Sequence, residues 1–266
     1  MPRRIFLATI GRERGGSTAR VPGTTIPEGT HPLPATAVII PTYNESENLE
    51  RLVHLILALP LELRVIVVDD NSPDGTGQIA DRLVAEDERV HVIHRPVKLG
   101  LGTAYIAGFQ RALQLGAECI VTMDADFSHH PCYIPSLVAR SNGAQVVVGS
   151  RYVPGAGTRY CSLKRRLLSW GANGFARLML GLEARDCTAG FRCYRREALE
   201  AIDLQAILSN GYSFLIEMLY QCQRRSYRTR EIPIIFEDRR HGVSKISRQE
   251  IFKAIFTVLR LAWRRL

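Results

Sequence analysis

The chain has 266 residues, of which 46% are hydrophobic, and it carries a formal net charge of +9. This length and hydrophobic content allow one sizeable core, and the positive charge indicates anionic partners such as phosphates or an anionic membrane surface. No zinc-finger spacing, aromatic RNA-binding motif or glycine-rich RNA loop accompanies the basic residues. Nucleic acid is therefore not an expected partner.

The cysteine pattern and the hydropathy indicate the compartment. The six cysteines form no C-x-x-C pair, which favours reduced thiols in a cytosolic compartment over a disulfide framework. The apolar run near the N-terminus is too short for an export signal. No segment reaches the roughly 18 uncharged apolar residues of a membrane span. The sequence thus predicts a cytoplasmic protein whose membrane contact, where there is one, is peripheral.

The first half of the chain alternates short apolar runs with amphipathic segments. Residues 1–36 are rich in Gly, Pro, Thr and Arg without periodicity, and we predict a flexible N-terminal extension there. Strands are then predicted at residues 37–40, 65–68, 90–93, 119–123 and 145–149. Helices are predicted between them, ending near residues 59, 85, 115 and 140. This alternation predicts an α/β fold with a doubly wound, mostly parallel sheet flanked by helices.

The pattern changes after residue 149. Helices are predicted at residues 163–180, 212–223 and 248–266, with strands at 189–194 and 229–237. The first and last of these helices combine an apolar face with Lys and Arg, which is typical of helices that lie on an anionic membrane surface. Packing against the rest of the protein is an equal alternative for residues 163–180. We assign residues 37–245 to one domain that includes this helix. Residues 246–266 form a C-terminal amphipathic helix that contacts a membrane or a partner.

Acidic residues or a proline follow three of the predicted strands. Asp124 and Asp126 come directly after the strand at 119–123, Asp70 ends the strand at 65–68, and Pro41 ends the first strand. Ligands of such sheets bind at the carboxyl ends of the strands. Carboxylates at i and i+2 can hold a hard divalent cation, although a lone pair of this kind can also be a solvated loop. Asp70 could accept a hydrogen bond from a base N–H, and a second carboxylate at such a position could accept from ribose hydroxyls. With a cation at Asp124 and Asp126 to neutralise a diphosphate, these groups together predict a nucleoside-diphosphate donor.

Other nucleotide chemistries lack their motifs. No Walker A sequence is present, and G-L-G-T-A-Y at residues 100–105 lacks the third glycine of a dinucleotide fingerprint. Nucleotide hydrolysis and hydride transfer are therefore not favoured.

Several motifs in order resemble those of one enzyme family. V-I-I-P-T-Y-N-E at 38–45, V-V-D-D-N-S-P-D-G-T at 67–76 and M-D-A-D at 123–126 resemble inverting glycosyltransferases of the GT-A fold. The resemblance narrows to dolichol- or polyprenol-phosphate mannose synthases with motifs at residues 100–105, 124–131, 148–152, 169–173, 186–192 and 238–245. It covers about residues 37–252. It implies a GT-A catalytic domain over 37–245 and transfer of mannose from GDP-mannose to a polyprenyl or dolichyl phosphate.

The resemblance also implies roles for individual residues. The guanosine would be held by Pro41, Tyr43, Glu45, Val68 and Asp70. Mg²⁺ or Mn²⁺ would be bound by Asp124 and Asp126 beside the Ala125 backbone, with Ser128 at a position that is Gln in some members. The donor diphosphate or the lipid phosphate would be contacted by Arg151, Arg165, Arg239 and Lys245, with Arg196 also within reach of the donor and Ser169 at the acceptor phosphate. The implied catalytic residues are thus Asp126, Arg151, Arg165 and Ser169. Arg239 and Lys245 are expected on a loop that closes over the donor, with Gly242 as its hinge.

A phosphate acceptor changes what the site needs. Many inverting sugar transferases use a carboxylate base to deprotonate a hydroxyl acceptor, whereas a phosphate monoester is already mostly ionised near neutral pH. Arginines suit such an acceptor, because they remain charged and grip phosphate with two donors. A hydroxyl acceptor would need a carboxylate, for which Asp186 is the candidate unless it forms an ion pair with Arg192.

Alternatives remain at this point. The donor could be another sugar nucleotide such as UDP-glucose. Alternatively, the protein could be a non-catalytic basic scaffold that binds a membrane or nucleic acid. A lipid acceptor implies the cytoplasmic face of a membrane, the plasma membrane in a bacterium or the endoplasmic reticulum in a eukaryote. Small membrane-anchoring subunits are a further partner that the resemblance allows.

Overall fold

The computed structural model describes residues 33–238 and 248–263. The first half contains β1 (Thr36–Thr42), α1 (Leu49–Leu57), β2 (Leu63–Asp69), α2 (Thr76–Glu86), β3 (Val90–His94), α3 (Leu101–Gln114), β4 (Cys119–Thr122), α4 (Ile134–Arg140) and β5 (Val146–Ser150). The second half contains β6 (Gly157–Arg159), α5 (Leu163–Leu180), β7 (Arg192–Arg195), α6 (Arg196–Glu200), α7 (Tyr212–Arg224), β8 (Thr229–Pro233), β9 (Ile235–Glu237) and α8 (Arg248–Trp263).

Within the described ranges, seven strands form one sheet in the order β3-β2-β1-β4-β7-β5-β8. All neighbours in it are parallel except β7, which runs antiparallel to both β4 and β5. Strands β6 and β9 pair separately and in parallel. The predicted doubly wound, mostly parallel sheet is confirmed. The single strand predicted over 229–237 is instead two strands, β8 and β9, which belong to different sheets.

The sheet is buried on both faces, so its strands are almost continuously apolar. Alternate residues of β1 point to opposite layers: Ile39 packs with α3 and α7, whereas Val38 and Ile40 pack with α1. Helix α3 lies so close to the sheet that a Cβ at Gly108 would stand 2.4 Å from the Ile39 side chain. A larger residue there would push the helix off the sheet.

Strand directions decide which residues meet at each edge of the sheet. The parallel strands β1, β2 and β4 all end at one edge, where Thr42 pairs with Asp69 and Asp124 follows β4. Because β7 is antiparallel, its amino end lies at this edge and its carboxyl end lies at the other, with Arg195 opposite Cys119. The polar residues predicted at three strand ends therefore share one edge.

Two helices with incompletely buried apolar faces flank this edge. Helix α5 begins after Ser162, whose hydroxyl accepts from the Arg165 N–H, and ends at Gly181 with φ of 66°. It packs against α8, which also contacts α7.

None of the helices in the described ranges is long and apolar enough to cross a bilayer. All six cysteines are free thiols.

Candidate active site

A cavity of about 1220 Å³ opens at the carboxyl edge of the sheet. Its walls come from the strand ends, α5 and α8. Most of the predicted site residues line it, namely Pro41, Tyr43, Glu45, Asp70, Asp124, Ala125, Asp126, Ser128, Arg151, Arg165 and Ser169. Ligand pockets usually hold about 300–1,000 Å³, so this cavity is large for a ligand site.

At one end of the cavity, two consecutive carboxylates have different tasks. Asp69 organises the backbone, because its oxygens accept from the Thr42 hydroxyl at 2.9 Å and the Ser72 N–H at 3.0 Å. Asp70 forms a buried ion pair with Arg95 at the wall of the cavity. The Gly100 N–H also donates to Asp70, at 3.2 Å. The Asp70 carboxylate is thus held in one orientation by the loop between β3 and α3.

Two basic residues at this end were not predicted. Arg95, besides holding Asp70, donates to the Thr103 hydroxyl at 2.6 Å and to the Gly100 carbonyl at 3.0 Å. The Lys98 ammonium lies 3.7 Å from the centroid of the Tyr43 ring. Both follow β3, whose carboxyl end lies at the same edge as those of β1 and β2. Their position after a predicted strand was the signal in the sequence that could have placed them at the site.

The acidic pair after β4 lines the cavity. The Asp124 side chain is 34% exposed, and the Tyr105 hydroxyl donates to it at 3.5 Å. Asp126 accepts the Ser128 N–H at 2.9 Å, which closes a tight turn. Ser128 itself is only 3% exposed. The turn brings these two carboxylates, which are two positions apart in a short loop, to the wall of the cavity.

A buried histidine lies beside this pair. The His129 ring packs between Phe191 and Phe236, with centroid distances of 5.2 and 5.4 Å. Burial lowers the pKa of His129 to about 4, against the opposing attraction of Asp126. Its Nδ1 lies 3.9 Å from an Asp124 oxygen and has no hydrogen-bond partner among the described residues. The imidazole is therefore neutral near pH 7.

These residues fit an oxygen-rich divalent cation that arrives with a phosphate ligand. Among residues 33–238 and 248–263, no three His, Cys, Asp or Glu side chains lie close enough to form a complete site. Mg²⁺ is commonly held by one or two carboxylates together with substrate phosphates and water. The partly exposed Asp124 and the unpartnered buried nitrogen of His129 are suitable protein ligands for such a site.

The central arginine is held by a buried carboxylate. Asp186 accepts the Arg151 backbone N–H at 3.0 Å and its Nε and Nη2 groups at 2.7 and 2.6 Å. Burial by itself would raise the pKa of Asp186, but Arg151 holds that pKa below its usual value. The alternative considered for Asp186, an ion pair with Arg192, is not formed, since Arg192 donates to the carbonyls of Cys187 and Leu215. Asp186 is fully buried and is not placed to act as a base.

The α5 side of the cavity supplies a second cation and a hydroxyl. Arg165 forms an ion pair with Asp238. Ser169, one turn later, accepts a hydrogen bond from the Tyr152 hydroxyl at 2.8 Å. Arg151 and Arg165 thus both line the cavity but reach it from different elements.

Two predicted substrate contacts are corrected. Val68 is fully buried in the layer that α3 forms on one face of the sheet, so its side chain does not reach the cavity. Arg196 lies at the opposite edge of the sheet, where its N–H donates to the Glu118 carbonyl and its side chain pairs with Glu200. Arg239, Gly242 and Lys245 lie outside the described residues, and their roles stay predictions.

The family model described as glycosyl transferase family 2 matches residues 37–203. The chain belongs to this family. Its GT-A-type fold is likewise that of solved glycosyltransferases. One is a glucosyl-3-phosphoglycerate synthase of Mycobacterium tuberculosis solved with Mn²⁺ and UDP, with a TM-score of 0.63, 20% identity and coverage of 86% of this chain and 80% of that one.

A second solved neighbour of this glycosyltransferase is a mannosyltransferase of Pyrobaculum calidifontis in complex with GDP-Man and Mn²⁺. Its TM-score is 0.59 at 17% identity, covering 93% of this chain and 68% of that one. Among curated proteins, the polyprenol monophosphomannose synthase of Mycolicibacterium smegmatis is 46% identical over 87% of this chain and 88% of its own length. The undecaprenyl-phosphate mannosyltransferase of Micrococcus luteus is 46% identical over 84% and 91%, respectively.

Proposed function

We propose that this glycosyltransferase transfers mannose from GDP-mannose to a polyprenyl monophosphate, with inversion at the anomeric carbon. The observation that carries the proposal is one cavity with carboxylates at its sheet edge and arginines on its other walls, Arg151 and Arg165. The names of the two curated relatives, a polyprenol monophosphomannose synthase and an undecaprenyl-phosphate mannosyltransferase, support this choice of sugar and acceptor.

The donor binds along the strand ends. The Asp70 carboxylate, fixed by Arg95, accepts N–H groups of the guanine base, and Tyr43 and Glu45 line the same end of the cavity. Asp124 and Asp126 would hold the Mg²⁺ or Mn²⁺ that accompanies the diphosphate. When bound, the cation neutralises the diphosphate and stabilises GDP as the leaving group.

The acceptor binds on the α5 side, where Arg165 and Ser169 hold its phosphate and Arg151 faces both substrates. An oxygen of the ionised phosphate attacks the anomeric carbon from the face opposite the diphosphate. The bond from that carbon to the diphosphate oxygen breaks, and GDP leaves with the electron pair. No base is required, because the attacking oxygen carries no proton. The complete engagement of Asp186 by Arg151 supports this base-free route.

The lipid tail of the acceptor and the exposed apolar surface of the protein both indicate contact with a membrane. Large apolar side chains are exposed on both helices that flank the cavity, namely Leu163, Leu167, Leu168, Trp170 and Leu178 of α5, and Phe252, Ile255, Phe256, Leu259 and Trp263 of α8. Lys164, Arg166 and Lys253 are exposed among them. Apolar and aromatic groups interspersed with cations suit the interface of an anionic membrane. We assign this α5–α8 surface to the cytoplasmic face of a membrane, and a small membrane-anchoring subunit is the alternative occupant.

A donor panel tests the proposed function. The purified chain is incubated with a short polyprenyl phosphate, Mn²⁺ and either GDP-mannose or UDP-glucose, and the glycolipid is extracted and quantified. We expect product from GDP-mannose, and turnover with UDP-glucose alone would overturn the mannose assignment. Binding of the chain to anionic vesicles, measured with and without added membrane proteins, distinguishes a lipid surface from a membrane-anchoring subunit as the occupant of the α5–α8 surface.

A further inference from the structure

A buried imidazole lies beside the carboxylates that the proposed function assigns to the cation. We propose that His129, through Nδ1, is a ligand of this cation alongside Asp124, and that the nitrogen biases the site towards Mn²⁺ over Mg²⁺. The inference rests on the proposed function only in placing a cation at the donor diphosphate.

The orientation of His129 is set before any ligand binds. Phe191 and Phe236 enclose its ring, and the residue is 3% exposed. Buried polar groups almost always have a hydrogen-bond partner, but Nδ1 has none among the described residues. The exception needs an explanation, and a cation that takes the nitrogen lone pair supplies one.

The distance from His129 to Asp124 fits two ligands of one ion. The Nδ1 to Oδ2 separation of 3.9 Å is too long for a hydrogen bond. Ligands bound at about 2.1 Å in octahedral geometry stand about 3.0 Å apart when adjacent and about 4.2 Å apart when opposite. The observed separation lies between these limits, so a small shift of the exposed carboxylate accommodates the ion.

His129 also suits this role better than the serine expected from the resemblance. Ser128 uses its backbone N–H to hold Asp126, and a neutral hydroxyl is a weak ligand. Mg²⁺ is a hard ion that takes oxygen ligands, whereas Mn²⁺ belongs to the first-row series that binds nitrogen-containing sites, although it is the weakest member of that series. A nitrogen in the first coordination sphere therefore favours Mn²⁺.

Pulsed electron paramagnetic resonance of the full chain with Mn²⁺ and GDP tests the assignment without measuring activity. We expect nitrogen coupling of a directly bound imidazole, which changes from ¹⁴N to ¹⁵N character when only histidine is ¹⁵N-labelled. The coupling should be lost in His129→Ala and retained in His130→Asn. His130 is the matched control, because it is the adjacent histidine and its Nδ1 accepts the Cys132 N–H at 3.1 Å.

Affinity gives a second readout. His129→Ala should raise the Kd for Mn²⁺ in the presence of GDP by at least the roughly 10- to 100-fold typical of even outer-sphere partners. Its effect on Mg²⁺ should be several-fold smaller. Metal-free GDP binding and circular dichroism check that the variant is folded, and His129→Leu fills the aromatic slot if alanine destabilises it.

Each result distinguishes the ligand assignment from the proposed function. Absence of histidine coupling in the wild-type complex overturns the assignment, as does full retention of coupling in a folded His129 variant. The labelled wild-type protein decides the matter even if neither variant folds. Histidine coupling without turnover of GDP-mannose would reject the proposed function and leave the ligand in place. Turnover of GDP-mannose without histidine coupling would support the proposed function and reject His129 as a ligand.

Discussion

The buried pair of Arg151 and Asp186 yields a prediction that separates a structural role from a catalytic one. Asp186→Asn removes the charge of the carboxylate and keeps its shape. Arg151, whose side chain is 15% exposed, is then left in the cavity wall without its counter-charge. We expect the variant to be less stable and still active.

The structure sets the size of the effect. Removing one partner of a buried ion pair destabilises a protein by about 3–5 kcal/mol. We expect about 3 kcal/mol for Asp186→Asn, because an amide oxygen in the place of Oδ2 still accepts two of the three hydrogen bonds from Arg151. For a chain of this size that corresponds to a fall in Tm of about 6–12 °C.

The pH dependence follows from the lowered pKa of Asp186. A carboxyl group whose pKa is lower in the folded than in the unfolded protein contributes its stability above the unfolded pKa of about 3.9. That contribution is lost as the pH falls through the folded pKa. The difference in unfolding free energy between wild type and Asp186→Asn should therefore be full at pH 7 and shrink below about pH 4.

Urea unfolding and steady-state kinetics measure the two sides of this prediction. Asp87→Asn is the matched control, because the Asp87–Arg89 pair is exposed, and its loss should change stability by less than about 1 kcal/mol. At a temperature where Asp186→Asn is folded, kcat should stay within about tenfold of wild type. A fall in kcat of about 10²- to 10⁴-fold with unchanged stability would instead identify Asp186 as a catalytic base.

Three further predictions concern the donor, the cation and the membrane. Arg95→Gln should weaken GDP binding by about tenfold in calorimetry, the equivalent of about 1.4 kcal/mol, because Asp70 loses the partner that orients it; unchanged affinity would remove Arg95 from the donor site. Asp124→Asn should abolish the Mn²⁺ dependence of GDP binding while leaving the far-ultraviolet spectrum unaltered, and persistence of that dependence would move the cation elsewhere. Replacing the exposed Phe256 and Trp263 together by serine should lower co-sedimentation with anionic vesicles at least tenfold, whereas equal binding would exclude this face of α8.

Much of the fold could be predicted because its strands are apolar runs that end in polar residues. Those runs mark β1, β2 and β4 and place Asp70 and Asp124 at one edge. Strand β6 could not be predicted, since it has three residues without an apolar pattern. The division between β8 and β9 was also missed, because both segments look extended in sequence and differ only in their partners.

The errors at the site come from strand direction and from ion pairs between residues far apart in the sequence. A motif match places Arg196 next to the donor only if the preceding strand runs parallel to its neighbours, and β7 is antiparallel. The Asp70–Arg95 pair joins residues 25 positions apart, and no local pattern specifies it. The same holds for Arg151 and Asp186, which are 35 positions apart. Residue type indicated which groups are chemically useful, whereas the tertiary fold decided which of them meet.

The most direct test of the account is a comparison of two acceptors that differ only in the phosphate. Polyprenyl phosphate and the corresponding polyprenol are each mixed with GDP-mannose, Mn²⁺ and enzyme in a single turnover, and the anomeric configuration of the product is determined by nuclear magnetic resonance. We expect rapid formation of the inverted, β-linked mannosyl phosphate and no glycosylation of polyprenol. Comparable glycosylation of polyprenol, or a product that retains the donor configuration, would contradict it.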